Sequence, residues 1–147
     1  MYCWDRRDRL SVIAGLSLSA RRRRLGLYFD IHGKNVTAAE VEAFVRQARR
    51  RLGRDLVVVL DRLGAHRSAA KHLSGDGRFE FEWLPPYAPD LNAVEPVWSR
   101  TKYTDLANFV PEDVEDLATE AELSLEDTQG DQQLLRSFFG AAGLSLD

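Results

Sequence analysis

The stretch from Leu56 to Lys102 constrains the fold of this chain more than any other. It opens with Leu56-Val57-Val58-Val59-Leu60, a short apolar run that predicts a strand buried on both faces of a parallel sheet. Asp61 follows directly. Ligands of open α/β sheets bind at the carboxyl ends of parallel strands, which is where Asp61 is expected to lie. The start of the stretch therefore predicts an α/β fold with a carboxylate at one end of its sheet.

The end of the stretch carries a second carboxylate on a rigid frame. It reads Leu84-Pro85-Pro86-Tyr87-Ala88-Pro89-Asp90-Leu91-Asn92-Ala93-Val94-Glu95-Pro96-Val97-Trp98. The prolines hold the entry extended, and Asp90 is suited to cap a helix in which Glu95 falls in the second turn, beside the core-facing stripe. Two carboxylates brought together at a strand end and a helix start are the minimum for holding divalent metal.

These two motifs closely resemble the DDE-superfamily transposases of bacterial insertion sequences, which are related to the mariner elements. The family's pattern is an Asp that ends a strand, a His five residues later, and then the run Leu-Pro-Pro-Tyr, which leads through Leu-Asn-Pro to a Glu and a Trp. The residues that match are Asp61, His66, the run 84–95 and Trp98. Arg62 and Ala93 stand where Asn and Pro are usual, and neither departure removes a carboxylate.

The resemblance implies an RNase H-like α/β fold, with a mixed sheet flanked by helices, over a single partial catalytic domain spanning residues 1–147. The family's first strand carries the first of three catalytic acids. Asp5 and Asp8 do not match that motif, so the chain is expected to lack the first strand and to be truncated at its N-terminus. No part of the chain resembles the helix-turn-helix region with which the family reads transposon ends.

The chemistry implied by the resemblance is metal-dependent DNA cleavage and strand transfer. Asp61 and Glu95 would bind Mg²⁺ or Mn²⁺, and the catalytic residues would be Asp61, Glu95 and His66. His66 would contact the scissile phosphate or orient Asp61; alternatively, it only makes a local hydrogen bond at a helix start. With the first acid missing, the chain alone is expected to be inactive. The alternative function is a catalytically dead remnant that binds DNA or a transposase.

Charge is distributed unevenly along the chain. Residues 1–54 contain 13 Lys and Arg against five Asp and Glu, whereas residues 103–131 contain ten Asp and Glu and no Lys or Arg. A basic region suits a polyanion, so DNA is expected across the basic half and the loops of residues 61–102. The candidate DNA-binding residues are Arg21, Arg22, Arg23, Arg24, Arg62, Arg67 and Lys102. For the four consecutive arginines, a solvated turn is the alternative.

Periodicity and capping signals predict the remaining elements. Strands are expected at residues 9–19 and 25–31, joined as an antiparallel hairpin with Arg21–Arg24 at its tip, and at residues 79–84. Thr37 and Glu40 form a capping box that begins a helix ending at Gly53, with Val41, Phe44, Val45, Ala48 and Leu52 on its buried stripe. Further helices are expected at Ser68–Leu73, from Pro111 onward and around residues 134–139. Asp30 and His32 could suggest a metal pair, but their turn-forming neighbours favour hydrogen bonds to local backbone donors.

Composition also limits compartment and partners. A single cysteine, Cys3, excludes a disulfide framework and a Cys-based zinc site. The first residues lack the apolar core of a signal peptide, and no apolar stretch is long enough to span a bilayer. We therefore expect a bacterial cytoplasmic, nucleoid-associated protein. Its expected partners are DNA, both transposon ends and target, and a full-length transposase or a second copy of the chain, with no membrane.

Overall fold

The computed structural model describes residues 10–21, 23–102 and 106–146. The strands are β1 (Ser11–Leu18), β2 (Leu25–His32), β3 (Leu56–Leu60) and β4 (Phe79–Trp83). The helices are α1 (Ala38–Leu52), α2 (Gly64–Leu73), α3 (Glu95–Arg100), α4 (Val114–Gln129) and α5 (Gln132–Ala141), with a short 3-10 turn at Pro89–Leu91. Small sheets flanked by helices give the mixed α/β class that the sequence predicted, and they are compatible with an RNase H-like fold.

The chain divides into two compact units. The split unit comprises Met1–Asn35 together with Ala93–Asp147, and the continuous unit comprises Val36–Asn92. The split unit contains β1, β2, α3, α4 and α5, and the continuous unit contains α1, β3, α2 and β4. Each unit is described by itself below.

The split unit begins with the predicted antiparallel hairpin. β1 and β2 pair from Ser11 opposite His32 to Leu18 opposite Leu25. The connection is closed by Ser19, whose backbone N–H donates to the Arg24 carbonyl at 3.0 Å. The Ser19 hydroxyl oxygen accepts from the N–H groups of Arg23 and Arg24 at 3.3 and 3.2 Å. The hairpin with arginines at its tip is therefore confirmed, although Arg22 lies outside the described residues.

The core of the split unit lies against one face of this hairpin. Leu25 and Leu27 alternate onto that face and retain only 3% and 1% of their exposure. The other members of this core come from α3, α4 and α5: Val97, Leu125, Leu135, Phe138 and Phe139. The buried apolar residues of α4 and α5 are thus among the side chains that cover β2.

Two glutamine side chains form hydrogen bonds with backbone groups on the outer edge of β2. The side-chain amide of Gln132 accepts from the Leu25 N–H at 3.2 Å and donates to the Leu25 carbonyl at 2.7 Å. Gln129 donates to the Leu27 carbonyl at 2.6 Å. Unpaired backbone groups at a sheet edge invite pairing with other chains. These side chains therefore stand in for a neighbouring strand.

The continuous unit is a parallel strand pair with two helices. β3 and β4 pair in parallel from Leu56 opposite Phe79 to Leu60 opposite Trp83, and α2 lies in the connection between them. α1 packs against α2. The buried apolar residues of this unit are Val41, Val45, Ala69, Ala70, Leu73 and Phe79. β3, α2 and β4 form a β-α-β connection, the unit from which parallel sheets are built.

The expectation that β3 is covered on both faces was wrong. Val57 and Val59 are 63% and 58% exposed, whereas Leu56, Val58 and Leu60 are half-buried. Successive side chains of a strand point to opposite faces. Only one face of β3 therefore carries the packing, and an all-apolar sequence could not show which residues would remain exposed.

α1 follows its predicted capping signals closely. The Thr37 N–H donates to Glu40 Oε2 at 2.8 Å, and the Thr37 hydroxyl pairs with the same carboxylate, so the capping box is confirmed. Gly53 ends the helix with φ 65°, a left-handed conformation that glycine adopts without a Cβ clash, and donates its N–H to Arg49. Leu52 is 37% exposed, so its place on the buried stripe was wrong. The buried stripe ends before the last turn.

Three helix starts differ from the predictions. α2 begins at Gly64 rather than Ser68. α4 begins at Val114 rather than Pro111 because the Asp113 side chain accepts from the Asp116 N–H at 2.8 Å and caps the helix there. The helix expected from Asp90 is interrupted after Leu91, since Asn92 is extended, and α3 starts only at Glu95. Pro96 explains this start, because proline fits the first turn of a helix and disrupts its interior.

Over the part of the chain covered by the structure, no helix combines the length and the apolar character needed to cross a membrane.

Candidate active site

Asp61 follows β3 at the carboxyl end of the parallel pair. Because Leu60 is paired with Trp83, the loops after β3 and β4 leave from the same end of the strands. Asp61 keeps 37% of its side-chain exposure, so the carboxylate is accessible without being fully solvated. This position is the one expected for Asp61 from the sequence.

Two hydrogen bonds fix one oxygen of the Asp61 carboxylate. Asp61 Oδ1 pairs with His66 Nδ1 at 2.6 Å and accepts from the Leu63 N–H at 3.2 Å. Asp61 Oδ2 makes no hydrogen bond to any residue within 10–21, 23–102 or 106–146. The carboxylate is therefore held through one oxygen while the other remains available for a ligand.

His66 reaches Asp61 because both lie at the start of α2. α2 begins at Gly64, which places His66 in the first turn of the helix, with 23% of its side-chain exposure. A carboxylate only accepts hydrogen bonds when ionised, so the pairing requires a proton on His66 Nδ1. In the neutral ring, Nε2 then carries a lone pair that can accept a hydrogen bond. The contact is the one expected if His66 orients Asp61; its catalytic role stays a prediction.

Arg62 joins the two loops at this end of the strands. Its Nε donates to the Leu84 carbonyl at 3.3 Å, which fastens the segment after β4 to the segment after β3. Arg67 is exposed on α2. Neither arginine forms an ion pair with an acidic side chain among the residues for which positions are given. Within the described structure, these two arginine side chains are therefore without an ion-pair partner.

The segment after β4 presents an aromatic side chain that the sequence reasoning did not single out. Tyr87 is fully exposed, at 103%, and has φ 57°. For a residue with a Cβ, the left-handed conformation costs about 1–2 kcal/mol. The signal available in the sequence was a large aromatic among prolines, where turns usually carry small or polar residues.

Glu95 lies in the split unit, as the first residue of α3. Its side chain is exposed and makes no hydrogen bond to the described parts of the chain. The expectation of a second-turn carboxylate at the edge of the core was therefore wrong. Because α3 starts at Glu95, the carboxylate lies in the first turn, where the helix dipole favours negative charge. Its approach to Asp61, in the continuous unit, stays a prediction.

The remaining candidates lie outside this cluster or outside the described residues. Arg21, Arg23 and Arg24 are exposed at the hairpin connection, and Lys102 is exposed after α3. Asp5, Asp8 and Arg22 are not among the described residues. Asp30 is half-buried on β2, opposite Ile13. His32 Nε2 is buried and has no hydrogen-bond partner within the described ranges, so the expected local bond is not seen at that atom.

The donor chemistry of Asp61 fits a hard divalent cation. Mg²⁺ and Mn²⁺ prefer carboxylate oxygens, and Mg²⁺ is usually bound through one or two carboxylates with other ligands completing the site. The open Oδ2 of Asp61 is such a donor, as is the exposed carboxylate of Glu95. Among the residues that the structure covers, no group of three or more His, Cys, Asp and Glu side chains is arranged to hold a metal.

Asp76, a second acidic residue of the continuous unit, is held by arginine side chains of the same unit. Asp76 accepts from Arg78 Nε and Nη2 at 2.9 and 2.7 Å and from the Arg78 backbone N–H at 3.1 Å, with Arg46 at 3.5 Å. The Arg78 hydrogen bonds hold the pKa of Asp76 well below its usual range, and Asp76 in turn raises the pKa of Arg78. Both carboxylate oxygens are engaged, so Asp76 links α1 to the turn before β4.

Comparison with known protein families identifies the family to which this chain belongs. A family described as DDE superfamily endonuclease matches residues 2–118, a range that includes Asp61, His66 and Glu95. The chain belongs to the DDE superfamily of endonucleases. Such domains generally depend on divalent metal and act on DNA. A comparison with curated proteins finds no match.

Proposed function

We propose that this chain provides the catalytic part of an insertion-sequence transposase, which cuts DNA strands and transfers them with the help of Mg²⁺ or Mn²⁺. The observation that carries the proposal is the Asp61 carboxylate, fixed by His66 through one oxygen and open at the other. The family match supports the reaction class, since it covers both carboxylates of the resemblance. Transposition is thus the process in which we expect the chain to act.

Asp61, Glu95 and His66 would have different roles in this reaction. Asp61 and Glu95 would bind the metal, with Asp61 offering Oδ2. Bound Mg²⁺ supplies Lewis-acid stabilisation of charge on the reacting phosphate and lowers the pKa of an attacking hydroxyl group. His66 holds Asp61 in one orientation by donating from Nδ1. A carboxylate held in one orientation loses less conformational freedom on binding a metal ion than a mobile carboxylate does. The contact therefore favours a defined metal position.

The arginines would position DNA rather than read its sequence. Arg62 and Arg67 lie beside Asp61 in the chain, and both are exposed. Contacts to phosphate supply most of the sequence-independent affinity for DNA. Arg62 is held by its Nε at the Leu84 carbonyl, which leaves its terminal nitrogens for a phosphate oxygen. Lys102 and the arginines of the hairpin connection, which belong to the split unit, would also contact DNA phosphates.

The chain matches only two of the family's catalytic acids, and this number limits the reaction that we expect from the chain alone. The family uses three catalytic acids, and the resemblance assigns only Asp61 and Glu95. Two carboxylates bind a metal ion but do not place a pair of ions for an in-line displacement. We therefore expect metal binding without DNA cleavage by the chain alone. A full-length transposase would supply the third acid in an active assembly.

Metal binding and nicking test the proposal together. Titration of Mn²⁺ followed by electron paramagnetic resonance should show binding that weakens about tenfold or more in Asp61→Asn and in Glu95→Gln. Glu122→Gln, an exposed carboxylate on α4, is the matched control and should leave the affinity unchanged. Supercoiled plasmid incubated with the chain in Mg²⁺ or Mn²⁺ should remain uncut.

Two outcomes would contradict these expectations. Equal Mn²⁺ affinity in all four proteins would overturn the metal assignment and leave the DNA-binding remnant as the better description. Nicking that disappears in Asp61→Asn would keep the enzymatic assignment and overturn the expectation of inactivity, because a third ligand would then have to exist within this chain.

A further inference from the structure

Tyr87 has no role in the fold that the structure describes. Its side chain is 103% exposed, so the ring buries no surface against its own chain. Its φ of 57° lies in the left-handed region, which glycine adopts freely and residues with a Cβ adopt at a disadvantage. A glycine at this position would relieve the strain and lose no packing. The tyrosine ring is therefore better explained by contact with a partner than by stability.

The neighbouring residues present this ring rigidly. Pro85, Pro86 and Pro89 surround Tyr87, and proline fixes φ near one value. Arg62 Nε fastens the start of the segment through the Leu84 carbonyl at 3.3 Å. A ring with two rotatable side-chain bonds on a restrained backbone loses little freedom when it binds.

The location of the ring connects it with Asp61. The parallel pairing of β3 and β4 means that Asp61 and Leu84 leave the strands at the same end of the continuous unit. Tyr87 follows Leu84 by three residues, a length of chain that spans about 10 Å at most. Arg62 lies between these two segments and forms no ion pair with an acidic side chain of the described structure. An exposed aromatic ring together with an arginine that forms no ion pair is the combination that binds single-stranded nucleic acid.

We propose that Tyr87 is a base-stacking residue of the DNA site, which holds an unpaired base close to the phosphate presented to Asp61. This inference rests on the proposed function, because it takes DNA as the substrate. Bases within a duplex are already stacked on each other, so the ring binds where a base is free, at a nick, a gap or a single-stranded end. Stacking uses the π-face that every base has, and the contact is therefore tolerant of sequence.

Fluorescence anisotropy with two labelled DNAs tests the inference. One probe is a blunt duplex, and the other is the same duplex with a short 3′ single-stranded overhang. The affinity of the full chain for each probe is measured in buffer that contains Ca²⁺. In Tyr87→Ala, affinity for the overhang DNA should fall about fivefold to a hundredfold, the range for loss of one stacked base. Affinity for the blunt duplex should change less than twofold, and Tyr87→Phe should bind both probes as the unsubstituted chain does.

A second substitution separates binding from folding. Tyr87→Gly should lose overhang affinity as Tyr87→Ala does, while its melting temperature stays equal or rises, because glycine accepts the left-handed backbone. Leu91→Ala is the matched control, since Leu91 is a 46% exposed apolar residue in the 3-10 turn that follows. It should bind both probes normally.

Several results would overturn the inference. Normal overhang binding in both Tyr87→Ala and Tyr87→Gly would show that the ring does not stack on DNA and would point to a protein partner. Equal losses on both probes would assign Tyr87 to a duplex contact instead. Absence of overhang binding by the unsubstituted chain would also overturn it. The Mn²⁺ titrations of Asp61→Asn and Glu95→Gln report on the proposed function separately, since none of them involves Tyr87.

Discussion

Asp61 and Asp76 lie in the same unit and are held in different ways. Asp61 accepts two hydrogen bonds at one oxygen and keeps the other open, whereas Asp76 has both oxygens occupied by Arg78. An open oxygen leaves room for an external ligand. A fully engaged carboxylate stabilises local structure. At the scale of single residues, hydrogen-bond partners distinguish a ligand candidate from a structural acid better than residue type does.

The Asp76 pair gives a pH-dependent prediction. Its hydrogen bonds with Arg78 lower the pKa of the folded-state carboxyl below the usual value of 3.8. A group with a depressed folded-state pKa contributes stability above its unfolded pKa and loses that contribution as the pH falls toward the folded value. Asp76→Asn should therefore lower the melting temperature at pH 7, and the difference from the unsubstituted chain should shrink below about pH 4.

Thermal melts between pH 7 and pH 3 measure this difference. Glu122→Gln serves as the control, since the Glu122 carboxylate is exposed on α4 and makes no hydrogen bond to the described residues. A difference between Asp76→Asn and the unsubstituted chain that is constant across the whole range would contradict the assigned cause.

The two sheets differ in how their edges are satisfied. Gln132 and Gln129 bond the outer edge of β2 at Leu25 and Leu27. Over the described residues, β3 pairs only with β4. Glutamine carries both a donor and an acceptor in one planar group, so a single side chain satisfies both backbone groups of Leu25. At the scale of elements, side chains from α4 and α5 complete a sheet that has only two strands.

Replacing Gln132 tests this contribution. Gln132→Met keeps a similar length but leaves the Leu25 N–H and carbonyl without their partners, and the net loss should be about 1 kcal/mol of unfolding free energy. Amide hydrogen exchange at Leu25 should accelerate. Gln133→Met changes an exposed neighbour on the same helix and should do neither. Unchanged exchange at Leu25 in Gln132→Met would show that the glutamine bonds do not protect this edge.

Local signals in the sequence predicted elements well where one residue type decides the outcome. Thr37, Glu40 and Gly53 predict both ends of α1. Pro96 marks the start of α3, because proline is excluded from helix interiors. The exposure of Val57 and the strain at Tyr87 could not be predicted this way. Both depend on which surfaces other segments cover and on how the backbone turns, and neither is encoded in local periodicity.

Charge is the property of the whole chain with the clearest consequence for DNA. Each phosphate contact adds about 0.9 to the slope of log affinity against log salt concentration for duplex DNA. Replacing Arg21–Arg24 by serine should reduce the slope by about 0.9 for every arginine that contacts phosphate. The measurement is affinity for a blunt duplex at several salt concentrations.

The arginines at the end of α1 are the matched control for this experiment. Arg50, Arg51 and Arg54 also belong to the basic half, but their position near a helix C-terminus is explained by the helix dipole. Their replacement by serine should leave the slope unchanged. If the Arg21–Arg24 variant also shows an unchanged slope, the hairpin connection is a solvated turn.

The division of the split unit along the chain has a consequence during protein synthesis. The continuous unit is one segment, Val36–Asn92, so all its contacts are available once that segment has left the ribosome. The hairpin precedes the helices that cover it, and Gln132, which bonds Leu25, is made 107 residues later. At translation rates of about 5–20 residues per second, the apolar face of β2 stays uncovered for roughly 5–20 seconds. Until those residues are made, the apolar face of β2 and the backbone groups of Leu25 lack the side chains that cover them in the folded unit.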